Sequence, residues 1–124
     1  MKFMMMVKAG NAYEAGEPPA KELIDAIGQI TQEMIEKGVL VDTGGLLPSR
    51  TGARIRVAGG QLTVLDGPFA ETKELVGGYA ILKVASRDEA VALGRRFMKL
   101  HADVLGPTYE GELEIRQLAD QPGR

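Results

Sequence analysis

The chain has no cysteine, no tryptophan and a single histidine among its 124 residues. The first absence excludes disulfides, thiolate nucleophiles and thiolate metal sites. With only one imidazole as well, a transition-metal site lacks its usual ligands. Three Tyr and three Phe are the whole aromatic complement, so stacking platforms for bases are not expected. Lys and Arg number 15 against 17 Asp and Glu, a formal net charge of −2. That balance gives no basic surface to track a phosphate backbone. Long hydrophobic runs are also missing. Phe3 to Val7 lies between Lys2 and Lys8. It is shorter than the core of a signal peptide, about 7–15 apolar residues, and far short of a span of about 20. The expectation is a cytoplasmic protein without membrane or nucleic-acid partners. Gly44-Gly45 and Gly59-Gly60 lack the strand-to-helix setting of a phosphate loop, and no cofactor is expected.

What is present fits one soluble domain. Hydrophobic residues make up 44% and charged residues 26%, an ordinary globular balance. We expect a single domain over residues 1–119 and a loosely ordered tail from Asp120 to Arg124.

Periodicity supplies the elements. Phe3 to Lys8 reads as a strand, and Met4-Met5-Met6 leaves it apolar on both sides. Asn11 to Pro19, punctuated by Gly16, Pro18 and Pro19, reads as a loop. Ala20 to Lys37 is a helix: Leu23, Ile27, Ile30 and Met34 form its stripe, widened by Ile24 and Ile35. Pro19 suits its first turn and Gly38 its far end. Val39 to Leu47 is a strand expected to break at Gly44-Gly45, and Pro48 to Gly52 is a turn. Arg54 to Val57 and Gln61 to Leu65, joined by Gly59-Gly60, form a hairpin. Gly77 to Val84 is a strand with an unbroken apolar centre. Ser86-Arg87-Asp88-Glu89 is a capping box. Its helix carries Ala90, Leu93, Gly94, Phe97 and Met98 on one face and is expected to end near Leu100 or His101. Asp103 to Thr108 is a loop, and Glu112 to Arg116 alternates as a final strand.

The order is βαβ, a hairpin, then βαβ. That is a ferredoxin-like α+β plan, an antiparallel sheet with two helices on one face. The apolar strands near Met5 and Ile81 then need cover on the other face. A second copy of the chain supplies it, so a homodimer is expected.

The tract Asp66-Gly67-Pro68-Phe69-Ala70-Glu71-Thr72-Lys73-Glu74 resembles the hallmark of the DGPF family within the YCII-related group. The likeness extends to the Met-rich first strand, Gly45-Leu46, Pro48-Ser49, Gly77-Gly78-Tyr79 and the closing Gly111 to Arg116. This resemblance implies a dimeric α/β barrel of two ferredoxin-like subunits. Related barrels, among them muconolactone isomerases and cofactor-free monooxygenases, hold small organic substrates between sheet and helices. A His and an Asp are the proposed active groups in some YCII-related members. The DGPF branch often lies beside alternative sigma factors, which implies a regulatory alternative.

Two residues are the candidates for catalysis. Asp66, at a strand end near apolar groups, has the chemistry of a general acid or base, although an Asp before Gly-Pro also simply holds a turn. His101 falls on the inward edge of the second helix, at its expected C-terminus, where an imidazole can shuttle protons or cap the helix. Phe69, Glu71, Thr72 and Lys73 form the rim of a ligand site, or a solvated turn. Arg54 and Arg56 share a hairpin face, where they can receive an anionic ligand, Arg56 being the ligand-binding candidate, or are solvated or paired with Glu112 or Glu114. Tyr13 and Tyr79 line a pocket or join the core. Ser49 and Thr51 lack a nucleophile elbow. The expected function is binding of a small organic molecule near Asp66, with cofactor-free isomerase- or lyase-like proton transfer. The alternative is a non-enzymatic regulatory or ligand-sensing protein with a protein partner.

Overall fold

The computed structural model describes residues 1–120. The expected tail beyond Asp120 lies outside the described residues. Four strands form one antiparallel sheet: β1 (Lys2–Lys8), β2 (Leu40–Gly45), β5 (Val76–Lys83) and β6 (Leu113–Gln117), in the order β2-β5-β1-β6. The hairpin β3 (Ala53–Ala58) and β4 (Gln61–Asp66) makes a separate two-stranded sheet. The helices are α1 (Asn11–Glu14), α2 (Lys21–Glu36) and α3 (Arg87–Leu105). The arrangement is the ferredoxin-like α+β plan with a hairpin inserted between β2 and β5. No helix among the described residues is long and apolar enough to cross a membrane.

One sheet face meets the long helices. Phe3 and Met5 of β1 and Ala80 and Leu82 of β5 pack with Met34 of α2 and Ala90 of α3. Strand alternation puts Met4 and Met6 on the opposite face. Register places Met4 beside Ile81 and Met6 beside Tyr79. These four are half-buried, and no helix covers them.

The caps follow local chemistry. At the end of α2, Gly38 takes φ +69°. Its N–H donates to Ile35 O, and the Val39 N–H to Met34 O, which is a Schellman closure. Ser86 Oγ accepts the Glu89 N–H at 3.2 Å, while Glu89 reaches back to the Ala85 N–H at 3.0 Å. Gly59 and Gly60 both take positive φ, 57° and 76°, as a two-residue hairpin of this hand requires.

Several expected details are corrected. The segment after Gly10 is not all loop, because Asn11–Glu14 winds into one helical turn. Pro19 lies outside α2, whose flanking residue is the extended Ala20. Ile24 and Ile35 do not widen the buried stripe; each is 53% exposed. A single α2 packs only a narrow strip on this sheet, and these two lie beyond its edge. Gly44-Gly45 does not break β2, since both residues pair with β5 opposite Tyr79 and Gly78. There is room for this pairing because Gly44 lies under the Tyr79 ring, where a Cβ would sit 3.0 Å from Cε1. Helix α3 does not stop near His101. It runs to Leu105, because Ala102 and Leu105 favour a helix, Asp103 and Val104 are tolerated in one, and the first residue that leaves the helix is Gly106, at φ +90°.

Candidate functional site

Three short irregular segments meet at one end of the sheet. They are α1, a 3₁₀ turn at Ser49–Thr51, and the Asp66 to Phe69 turn with its following 3₁₀ turn, Thr72–Glu74. None is long enough to be stable alone. Side-chain hydrogen bonds latch them together. Glu14 accepts the Ser49 N–H at 2.5 Å and the Ser49 hydroxyl at 2.7 Å. The same Ser49 Oγ accepts the Phe69 N–H at 2.9 Å. Tyr13 donates its phenol hydrogen to Leu46 O. Thr72 Oγ1 and Asn11 Oδ1 are joined at 2.7 Å. Backbone bonds complete the frame: Gly67 N–H donates to Gly52 O, and Ala9 N–H to Leu75 O.

Between these segments lies a cleft of about 220 Å³. Its apolar walls are Ala9, Leu46, Leu47, Phe69, Leu75 and Val76, and its polar side is Tyr13, Glu14 and Ser49. Arg54 braces the rim from outside, with its guanidinium carbon 3.8 Å from the centre of the Phe69 ring and Nη1 3.3 Å from Glu71.

The Ser49 backbone N–H and then the Ser49 hydroxyl hold the Glu14 carboxyl below the ordinary carboxylate value. Hence Glu14 is ionised at neutral pH. Its contribution to stability is present above the unfolded carboxylate range and is lost as pH falls through the lower folded value. Ser49→Ala should therefore lower the melting temperature by roughly 5 °C at pH 7. That deficit should shrink as pH falls past the ordinary carboxylate range and through the lowered Glu14 value, where Glu14 protonates in both proteins. Thermal melts followed by circular dichroism between pH 7 and 3 check this. A deficit independent of pH would mean that Ser49 acts through packing alone.

Comparison with known proteins gives the chain its relatives. The profile of the YCII-related domain matches residues 1–105. The chain belongs to the YCII-related family. An uncharacterized protein of Rhizobium meliloti (strain 1021) is 32% identical over 93 residues, covering 75% of this chain and 70% of that protein. A solved structure of 5-chloro-2-hydroxyhydroquinone dehydrochlorinase from Burkholderia phenoliruptrix AC1100, in complex with 2,5-dihydroxybenzoquinone, is also similar. That match covers 92% of this chain and 91% of the other at 14% identity, with a TM-score of 0.43.

The residues predicted from sequence are dispersed in this YCII-related chain. Asp66 ends β4, in register with Ala53, and is exposed just before the cleft's Phe69 wall. His101 is 6% exposed and one turn inside α3. Its Nδ1 lies 2.9 Å from Phe97 O, and its ring packs against Phe97 and Tyr109. It is not at a helix end, so the dipole reading does not apply to it. No hydrogen bond joins it to Asp66 among the described residues. Burial pushes the neighbouring Tyr109 phenol up. Of the rim residues, Phe69 lines the cleft, Glu71 pairs with Arg54, Thr72 holds α1, and Lys73 is exposed. Tyr79 is on the open sheet face, donating to Asp42 at 3.3 Å. Arg56 is exposed opposite Thr63. Glu114 pairs with Lys8 and Arg116, not with the hairpin arginines. Sequence reasoning did not select Glu14 and Ser49 as site residues. They are 35 positions apart, and no local spacing connects them; the only hint was a polar residue in each of two Gly/Pro-rich segments.

Proposed function

We propose that this protein is a homodimer that binds a small organic molecule in the cleft beside the Asp66 to Phe69 turn. The observation that carries the reading is the cleft itself: a mostly apolar lining with three polar side chains in it. Binding sites have that composition. Its volume is below the roughly 300 Å³ at which larger ligand pockets begin, which suits a one-ring or short-chain compound. Among cofactor-free reactions, proton transfer of the isomerase or lyase kind suits such a site. Asp66, beside the rim, is the carboxylate available for it, while Glu14 is held as a weak base by Ser49. His101 enters such a scheme only as a buried support of α3. The half-buried Met4, Met6, Tyr79 and Ile81 favour a second subunit over the open sheet face.

The test is a titration with one-ring fragments, followed by amide chemical shifts. Saturable changes should cluster at Leu46, Leu47, Phe69 and Leu75. Phe69→Ala should weaken binding about tenfold through loss of the aromatic wall. Changes scattered away from the cleft, or unaltered by Phe69→Ala, would refute the assignment.

A further inference from the structure

The hydrogens of the cleft's polar side chains are already committed. Tyr13 has one, and it goes to Leu46 O. Ser49 has one, and it goes to Glu14 Oε2. Glu14, ionised at neutral pH, has none. What remains on these three side chains is lone pairs. The carboxylate keeps acceptor capacity beyond its two bonds to Ser49. The Tyr13 oxygen, its hydrogen given to Leu46 O, keeps a lone pair that can accept. Ser49 Oγ already accepts from Phe69 N–H and is the least available of the three.

We infer that the cleft selects ligands whose polar end is a hydrogen-bond donor, a hydroxyl or amine on a small apolar body, and rejects those whose polar end only accepts. This rests on the ligand-binding reading of the same cleft and adds the chemical class of ligand. The physical reason is that a donor head gains a charge-assisted bond to Glu14, while a head that only accepts gains none. A donor head meets an anionic acceptor, whereas an ether oxygen or a carboxylate would face Glu14 and the Tyr13 oxygen with no hydrogen between them. Leaving polar groups unpaired in a site is what rejects an analogue. A ligand carboxylate adds repulsion from Glu14.

Three probes of similar size separate the cases: phenol, anisole and benzoate, each titrated at pH 7 against the intact protein and followed by amide shifts at the cleft. Phenol should bind at least about tenfold more tightly than anisole, the lower end for a hydrogen bond to a charged acceptor. Benzoate should bind no better than anisole. Benzylamine in place of phenol tells a cationic donor from a neutral one, and either binding above anisole supports the inference. In Glu14→Gln the side-chain amide adds donors, and the preference of phenol over anisole should fall to within about threefold. If anisole or benzoate matches or exceeds the donors at the cleft, the ligand site stands and the donor rule is wrong. If none of the probes perturbs the cleft, the ligand-binding reading falls and this inference with it.

Discussion

Gly67→Ala is expected to lower the melting temperature by about 10 °C, the equivalent of roughly 3 kcal/mol for a domain of this size. A Cβ at this position would sit 1.8 Å from Ser49 O and 2.6 Å from Ser49 C, with Arg50 Cα at 3.2 Å. All three atoms are backbone, so no rotamer change relieves the contact. The backbone itself is tied down. Gly67 N–H donates to Gly52 O, Gly52 N–H donates to Ser49 O, and Glu14 holds the Ser49 N–H. Separating the two turns breaks the latch that shapes the cleft, so fragment binding should be lost along with stability. Gly45→Ala is the control, because its Cβ would meet nothing within 4 Å. A Gly67→Ala protein melting within about 2 °C of wild type would mean that the two turns are not held together in solution.

The second large effect concerns the open sheet face. Ile81→Lys should convert the proposed dimer to a folded monomer. In β5, Ile81 lies between Met4 of β1 and Asp42 of β2. Within one subunit the new ammonium has Asp42 as a neighbour, so far-ultraviolet circular dichroism should be retained. In a face-to-face dimer two such cations would be buried. Even beside Asp42, taking each ammonium out of water costs several kcal/mol, which is a factor of about 10² or more in association. Light scattering at about 10 µM reads the outcome, a concentration where a dimer of nanomolar affinity is intact and one weakened to the micromolar range begins to come apart. Wild-type protein running as a well-folded monomer there would end the dimer proposal. A mutant that stays dimeric would move the interface elsewhere, to the hairpin face where Ile55, Val57, Leu62 and Val64 are exposed.

The fold was legible because its determinants are local or periodic. The stripe of Leu23, Ile30 and Met34, the Ser86–Glu89 box and the Gly59-Gly60 turn each act within a few residues, and each is found where the sequence places it. The misplaced boundaries have physical causes as well. Pattern reading stopped α3 just past the stripe it followed, Ala90 to Met98, yet the helix needs only tolerable residues to continue and ends where Gly106 changes hand. The cleft was less legible. The DGPF tract indicates a turn, but what the turn faces is set by Ser49, Glu14 and Tyr13, which arrive from two other segments. Asp66 and His101 attracted notice for their chemistry, and chemistry alone says nothing of distance. One is exposed at a strand end and the other is packed between aromatic rings.

The last strand bears on where this unit is taken to stop. The family profile ends at Leu105, at the close of α3. Yet β6 lies wholly beyond that point and pairs with β1 from Phe3 opposite Gln117 to Val7 opposite Leu113. A truncation at the profile boundary would leave a methionine-rich strand with an unpaired row of amides and carbonyls, the kind of margin on which other chains add. The piece that closes the sheet is longer than the stretch the family profile matches. Any expression clone or fusion should carry the chain through at least Leu118, whose N–H closes the ladder on Lys2 O.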